Sequence, residues 1–245
     1  MCGRYSHLFT WKQLHRLMDL LSWPEAELGA RYNVAPTQHG PVVRARPDGS
    51  REGAMLRWGL IPHWAKDESI GGRLINARAE SVHLKPAFRA AFQRRRCLVP
   101  VSGFFEWRAV PGSTRKRAHY IRPRAEELFA FAGLWERWTP PDGAPAPDLE
   151  TFTILTTDAN DAIRPLHDRM PVILPPRAWS AWLDPDLHEA DAIRPMLAPA
   201  PAESLEIVAV GSRVNSPRHD DPQCIEPVED HPLTGEQRGF WPDNS

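Results

Sequence analysis

The chain has 245 residues, of which 42% are hydrophobic and 25% are charged, a composition that is ordinary for a soluble globular protein. It contains no apolar run of membrane-spanning length and no basic-then-apolar N-terminal segment, so we expect a cytoplasmic protein without a signal peptide. Its three cysteines are too few and too scattered for a disulfide framework or a paired-cysteine metal site.

The charged residues are distributed unevenly along the chain, although the formal net charge is only −1. Residues 1–124 contain 22 Lys and Arg against 9 Asp and Glu, whereas residues 125–245 contain 8 against 22. Of the 30 basic residues, 26 are arginine, whose planar guanidinium suits phosphate oxygens. We therefore expect the first half of the chain to build surfaces for an anionic partner.

Capping residues and hydrophobic spacing predict the elements of the first half. Thr10 and Gln13 form a capping box ahead of apolar residues at helical spacing, and Asp48-Gly49 marks a hairpin turn. The predicted elements are a helix from Thr10 to Leu21, a loop at residues 28–37, strands at 41–46 and 54–58, and a short helix at 86–95.

The second half alternates strand-like segments, rich in β-branched and aromatic residues, with a proline-rich loop and short helices. Strands are predicted at 97–101, 119–122, 128–134, 151–157 and 205–210, a loop at 139–147, and helices at 176–183 and 187–197. The strands do not alternate regularly with long helices, which favours a mixed, mostly antiparallel α+β domain over a doubly wound parallel sheet. We expect one domain at residues 2–226 and a polar, disordered tail at 227–245.

Cys2 is the residue with the most unusual chemical potential. Cys2 and Gly3 are small, so a methionine aminopeptidase should be able to remove Met1 and leave Cys2 with a free α-amine. A 1,2-aminothiol condenses with an aldehyde to an imine, and its thiol then closes a thiazolidine ring. The amine titrates at about 7.7–8.0 and a free thiol at about 8.5, so both groups are expected to be partly available at neutral pH.

Four further segments carry polar or aromatic residues that a purely structural role does not require. Glu106 lies between aromatic residues, where a raised pKa suits a general acid, although on local sequence alone a solvent-facing position on the polar face of the strand is slightly favoured. The other candidates also have ordinary alternatives, because tryptophans are usually core residues and single histidines are usually structural. These candidates are His167 in a proline-flanked loop, Asn76 with Arg78 two residues later, and Trp58 and Trp64, which could stack on bases.

Taken together, these segments closely resemble the SRAP family, the SOS-response-associated peptidase-like proteins that process abasic sites in DNA. The resemblance covers residues 2 to about 216, with Phe105 standing where the family often has tyrosine. It rests on motifs that occur in family order: Cys2-Gly3-Arg4-Tyr5, residues 32–37 (YNVAPT), the Trp-Gly-Leu-Ile-Pro segment 58–62, residues 76–80 (NARAE), residues 103–107 (GFFEW) and residues 167–171 (HDRMP).

The resemblance implies a barrel-like fold and a covalent thiazolidine between the N-terminal cysteine and the ring-opened abasic aldehyde in single-stranded DNA. Cys2 would be the nucleophile, Glu106 would move protons, His167 would hydrogen-bond the opened sugar, and Asn76 would position Cys2 or the sugar. The implied DNA contacts are Arg4, Asn33, Trp58, Trp64, Arg78 and Arg169. The resemblance further implies a monomer without a metal or organic cofactor, and an enzyme that removes the residue before Cys2 and has lyase activity.

Two other classes of function remain open from the residues alone. An N-terminal-nucleophile amidohydrolase also uses a cysteine exposed by removal of Met1, but it gives no reason for the basic first half of the chain. A non-catalytic single-strand-binding module would leave Cys2 idle. Whether the DNA partner is a plain single strand or a junction with duplex, and whether Met1 removal is autocatalytic, are also open.

Overall fold

Strands dominate the described part of the chain, and the helices are short. The computed structural model describes residues 2–110, 112, 114–141 and 147–229. The α-helices are α1 (Trp11–Met18), α2 (Arg89–Arg94), α3 (Pro176–Leu183) and α4 (Ala190–Ile193). The strands are β1 (Tyr5–His7), β2 (Leu20–Ser22), β3 (Arg31–Val34), β4 (His39–Ala45), β5 (Arg51–Trp58), β6 (Asn76–Arg78), β7 (Arg96–Val101), β8 (Gly103–Ala109), β9 (Lys116–Pro123), β10 (Phe129–Trp138), β11 (Leu149–Asp158), β12 (Arg169–Pro171) and β13 (Leu205–Ala209).

These strands form two sheets within the described residues. The first is antiparallel, in the order β13-β9-β8-β1-β3. The second has the order β12-β11-β10-β7-β4-β5-β2, and β6 pairs with β11. Strand β11 also pairs in parallel with β5, so that β11, β10, β7, β4 and β5 close into a ring. The predicted mixed, mostly antiparallel and barrel-like fold with short flanking helices is thereby confirmed.

Two large apolar cores determine where the chemistry can lie. One fills the barrel interior and includes Cys2, Tyr5, Trp58 and Phe104. The other lies between the barrel and the helices, and includes Trp182 of α3. Strand β8 contributes Phe104 to the barrel core and Phe105 to a smaller cluster with Tyr120, because successive side chains of a strand point to opposite faces. Cys2 is therefore a constituent of the barrel core.

Helix α1 begins as predicted and ends earlier than predicted. The Thr10 side chain accepts from the Gln13 N–H, and the Gln13 side chain accepts from the Thr10 N–H. Asp19 then adopts a left-handed conformation with φ of 54° and ends the helix after Met18. Residues 20–22, of which the first two belonged to the predicted helix, instead form β2 on the edge of the second sheet.

Residues 31–34 form a strand in a segment predicted to be a loop. Strand β3 pairs with β1 through Tyr5–Val34 and His7–Arg31. The Asp220 side chain accepts hydrogen bonds from the Tyr32 and Asn33 N–H groups. The strand is thus held by a partner strand and by a carboxylate far along the chain, neither of which local sequence reveals.

The other predicted elements agree with the structure in type, with differences at their ends. The predicted hairpin corresponds to β4 and β5, and the predicted helix at 176–183 is α3. The predicted helix at 187–197 is divided into α4 and a 3₁₀ helix at Arg194–Leu197, because Pro195 has no N–H to continue the α-helical pattern. No helix within the described residues has the length and apolarity needed to cross a membrane.

The predicted tail begins in contact with the domain. Pro227 forms a bridge with Val210, and the Val228 N–H donates to the Ala209 carbonyl. Residues 230–245, which make up most of the predicted tail, lie outside the described residues, as do residues 142–146 of the proline-rich loop.

Gly59 allows two segments of the site region to pack at backbone distance. Its φ is +119°, and a Cβ there would lie 2.5 Å from the Gly71 carbonyl oxygen. We expect Gly59→Ala to lower the free energy of unfolding by at least about 1–3 kcal/mol, because both the conformation and the contact exclude a side chain. Gly72→Ala is the matched control, since nothing lies within 4 Å of its Cβ position. Equal denaturation midpoints in urea for the two variants would contradict this account.

Candidate active site

Cys2 lies in the barrel core and is fully buried. Burial, reinforced by the negative charge of Glu106, raises the pKa of its thiol far above the usual value. The expectation of a partly ionised thiol at neutral pH is therefore wrong for this environment, because a thiolate loses its hydration there. The Cys2 thiol must lose its proton to a nearby base at the moment it attacks.

Asn76 fixes the backbone of Cys2. Its Nδ2 atom donates to the Cys2 carbonyl oxygen at 2.9 Å. Strand β6, which carries Asn76, is held by parallel pairing of Asn76 with Ile154 in β11. The Asn76 Oδ1 atom is buried and accepts no hydrogen bond from the described residues. A buried acceptor without a donor is costly, and a hydroxyl or amine of a bound substrate would satisfy it.

Glu106 lies on the inner face of β8, two residues from Phe104 of the barrel core. It is only 3% exposed, and burial raises its pKa to about 7. The charge of Asp168 raises the pKa further, and Lys116 opposes that effect. A carboxyl group with this pKa is present in both protonation states at neutral pH, as general acid–base catalysis requires.

His167 lies in the loop before β12, with its ring orientation fixed through Nδ1. In the neutral imidazole this atom accepts the Arg169 N–H at 2.9 Å; in the protonated ring it would instead pair with Asp168 Oδ1, 2.7 Å away. Burial lowers the pKa of the imidazole, which favours its neutral form. Asp168 and Lys116 act electrostatically on both His167 and Glu106, so these two side chains share one site.

The strand register adds two residues that sequence reasoning missed. His119 in β9 is directly opposite Glu106 in β8 and is only 3% exposed. Lys116, at the start of β9, is exposed and close enough to act on Glu106 and His167. Only the β8–β9 pairing register identifies them, since neither lies in a recognisable motif.

Arg4 and Asn33 are engaged inside the protein. Arg4 donates to Asn33 Oδ1 at 2.8 Å and to the Val214 carbonyl at 2.7 Å. Asn33 is fully buried, and its Nδ2 donates to the carbonyls of Val214, Ser216 and His219. Asn33 therefore organises residues 214–219 and has no exposed surface for the predicted contact with DNA.

The two predicted tryptophans have opposite environments. Trp58 is fully buried, donates from Nε1 to the Ile75 carbonyl at 2.9 Å, and packs on Tyr5 and Phe152. It is a core residue, which corrects the prediction that it lines a groove. Trp64 is 52% exposed, so its indole is available for stacking.

The two remaining predicted phosphate contacts also differ. Arg78 follows Asn76 on β6 and is exposed. Arg169 forms ion pairs with Glu80 and Asp158, and its Nη2 donates to the Thr156 carbonyl. Its side chain is only 13% exposed, so a phosphate would have to compete with two carboxylates for it. No grouping of His, Cys, Asp and Glu suited to a metal ion occurs in the described ranges.

The site combines a thiol buried in the barrel core, a carboxyl group with a pKa of about 7 and an oriented imidazole. This arrangement can add a sulfur and an amine to an electrophilic carbon, with proton transfer to and from the carboxyl group. The basic β8–β9 region adjoins it, with Arg108, Arg115, Lys116 and Arg117 at or near the ends of the two strands.

Comparisons with known proteins agree with this arrangement. The family profile described as SOS response associated peptidase (SRAP) matches residues 1–217. "Abasic site processing protein YoqW" of Bacillus subtilis is 41% identical over 228 residues, covering 92% of this chain and 99% of that protein. "Abasic site processing protein HMCES" of Gallus gallus is 31% identical, covering 81% of this chain and 66% of that protein.

A solved structure has the same fold. It is a protein from Bacteroides thetaiotaomicron with a TM-score of 0.82 and 28% sequence identity, covering 93% of this chain and all of that one. The sequence profile spans residues 1–217, which include Cys2, Asn76, Glu106 and His167. The chain therefore belongs to the SOS response associated peptidase (SRAP) family.

Proposed function

We propose that this protein processes abasic sites in DNA by forming a covalent thiazolidine between Cys2 and the ring-opened sugar. The observation that carries the proposal is the placement of Cys2: its carbonyl is fixed by Asn76, and its thiol is within electrostatic reach of the buried Glu106. The relatives named for abasic-site processing support the substrate class.

The covalent step requires Cys2 to be N-terminal, so Met1 must first be removed. The free α-amine attacks the C1′ aldehyde, and the resulting carbinolamine loses water to give an imine. The Cys2 sulfur then adds to the imine carbon, and the thiol proton goes to a base while the nitrogen gains a proton. One C–N bond and one C–S bond form, and the aldehyde oxygen leaves as water.

Glu106 can serve both proton transfers because its pKa is about 7. As an acid, it protonates the hydroxyl group that leaves from the carbinolamine. As the resulting carboxylate, it accepts the proton of the Cys2 thiol, which burial keeps protonated until the sulfur attacks. His167, whose neutral ring is oriented by the Arg169 N–H donated to Nδ1, would hydrogen-bond the opened sugar.

We further propose that the DNA partner is single-stranded and that the protein binds it as a monomer in the cytoplasm. Arg78 and the basic residues near the β8–β9 loop would contact flanking phosphates, and the exposed Trp64 would stack on a base. The peptidase activity would be removal of Met1, and a lyase activity would follow from the same imine, whose formation acidifies the neighbouring sugar carbon.

Intact mass spectrometry tests this function directly. The purified protein is measured alone and after mixing with a single-stranded oligonucleotide that contains one abasic site. We expect a chain lacking Met1 that gains the oligonucleotide mass minus one water. A chain that lacks Met1 and gains no mass would contradict the proposal, and glutaminase activity in its place would favour an N-terminal-nucleophile amidohydrolase.

The Asn76–Cys2 hydrogen bond gives a graded prediction. We expect Asn76→Ala to slow adduct formation about 5- to 30-fold, because one hydrogen bond that positions the nucleophile contributes on the order of 1–2 kcal/mol. Asn76→Asp keeps the acceptor and loses the donor to the Cys2 carbonyl, so it should be at least as slow. Single-turnover rates at saturating DNA measure this effect, and an unchanged rate in Asn76→Ala would remove Asn76 from the site.

A further inference from the structure

A second basic site lies away from Cys2, in a cleft that we call the arginine cleft. The cavity has a volume of about 360 Å³ and is formed by the end of β4, the α2–β7 junction, β10 and the segment after α3. Its lining residues are Arg44, Ala45, Arg46, Pro47, Glu52, Arg94, Arg96, Trp135, Leu183 and Pro185. The four proposed catalytic residues are absent from this lining.

Arg96 is a buried cation that forms no ion pair with a carboxylate of the described residues. It is 4% exposed, and four of its hydrogen bonds go to the carbonyl oxygens of Phe92, Gln93, Trp182 and Asp184. Burial lowers its pKa to about 10, so the guanidinium remains charged at neutral pH. The Asp184 carboxylate acts on Arg96 electrostatically, and the guanidinium lies 5.5 Å from the centre of the Trp182 ring. No described carboxylate is within ion-pair distance of it, so an anion in the cleft would give this buried charge a direct partner.

The other arginines of the cleft leave a positive excess in its lining. Arg44 is ion-paired with Glu52 and Glu150, and its guanidinium lies 4.2 Å above the Trp135 ring. Arg46 and Arg94 form no ion pair with any described residue, and Arg94 is exposed. Glu52 is the single carboxylate of the lining, and Arg44 already engages it.

The chemistry of the lining favours a phosphate group over a base or a sugar. The guanidinium fork binds phosphate oxygens in bidentate fashion. The lining contains no Asn or Gln, which read adenine, and no Ser or Thr. Arginines also read guanine, but a group of them without other polar donors matches the phosphate contacts that give sequence-independent binding to a nucleic acid backbone.

We propose that the arginine cleft is a second phosphate-binding site, which holds the backbone of the DNA strand at a distance from the abasic nucleotide. Strand β7 connects the two regions: Arg96 is its first residue, and Ser102, just after its last, donates to the Ser6 carbonyl beside β8. Its six residues span roughly 17–20 Å, so several nucleotides must separate the two contacts. In naming DNA as the source of the phosphate, the inference rests on the proposed function.

DNA single strands of two lengths distinguish binding at the arginine cleft from binding at the Cys2 site. Arg46→Ala/Arg94→Ala removes two cleft charges and leaves the buried Arg96 in place. The matched control is Arg177→Ala/Arg194→Ala, which removes two exposed charges from the helical side. Both are compared with the parent protein on single strands of about 5 and about 25 nucleotides that carry a central abasic site.

We expect the cleft variant to bind the long DNA strand more weakly. The slope of its log binding constant against log salt concentration should be smaller in magnitude by about 1.4, because each lost contact to a single-stranded phosphate contributes about 0.7. On the short DNA strand, binding and crosslinking by the cleft variant should match those of the parent protein. The control variant should match the parent protein on both DNA strands. Crosslinking of the short strand tests the proposed function separately, because that strand does not reach the cleft.

The remaining outcomes are equally informative. A phosphate-induced rise in Tm that the cleft variant alone loses, with both strands bound normally, would establish a phosphate site that serves a small phosphorylated ligand. Equal weakening on short and long strands, or loss of long-strand binding in both double variants, would show only a general effect of net charge and would overturn the proposal. A cleft variant that matches the parent protein in long-strand binding, in short-strand binding and in the phosphate-induced rise in Tm would also overturn the proposal.

Discussion

Cys2→Ser is expected to abolish the heat-stable protein–DNA adduct while leaving reversible DNA binding unchanged. The serine α-amine still forms an imine with the abasic aldehyde once Met1 is removed, but its hydroxyl is a far weaker nucleophile than a thiol and does not close a stable ring. The imine hydrolyses on denaturation. Borohydride should therefore trap a covalent product from Cys2→Ser, and without reductant a denaturing gel should show none.

Cys97→Ala is the matched control for this experiment. Cys97 is also fully buried and belongs to the same barrel core, but it lies inside β7, paired with Gly133 of β10, and has no free α-amine to form a thiazolidine. It should form the heat-stable adduct at the parental rate. A heat-stable band in Cys2→Ser without reductant would refute the thiazolidine and point to another nucleophile.

The accuracy of the sequence predictions for the fold depended on how local the determinants were. The start of α1 was predictable because the Thr10 capping box is contained within four residues. Strand β3 was missed because it is held by β1 and by Asp220, about 190 positions away. The end of α1 was misplaced because the pairing of Leu20 with β5 outweighs the continuing helical spacing of apolar residues.

In the candidate site, too, features set by local sequence were predictable and features set by tertiary contacts were not. Cys2 was recognisable because its chemistry depends on sequence position, whereas Glu106 was named only through the family resemblance, since its local sequence fits a solvent-facing residue as well. The environments of Trp58 and Asn33 were not predictable, because a tryptophan or an asparagine in a motif has the same local pattern whether it is buried or exposed. His119 needed the β8–β9 register, which is a tertiary property.

Glu106→Gln is expected to slow adduct formation by roughly 10²–10⁴-fold, the usual contribution of a positioned acid–base group. The parent rate should fall as pH rises through about 7, because the carboxyl group then loses the proton it donates. The glutamine variant should lack this inflection. Glu127→Gln is the matched control, since Glu127 is exposed and paired with Arg16. A variant that keeps both the rate and the inflection near pH 7 would exclude Glu106 as the proton carrier.

The same substitution should stabilise the fold at alkaline pH. The pKa of Glu106 is raised from 4.5 to about 7 in the folded protein, so the folded state holds one more proton than the unfolded state between these values. The stability due to this proton is complete below about pH 4.5 and is lost as pH rises to about 7, a change on the order of 3 kcal/mol. Glutamine does not titrate. The free energy of unfolding of Glu106→Gln, relative to that of the parent protein, should therefore rise by that amount between about pH 4 and 8. Urea denaturation at the two pH values measures the difference, and parallel pH profiles would show that Glu106 is not held protonated by burial.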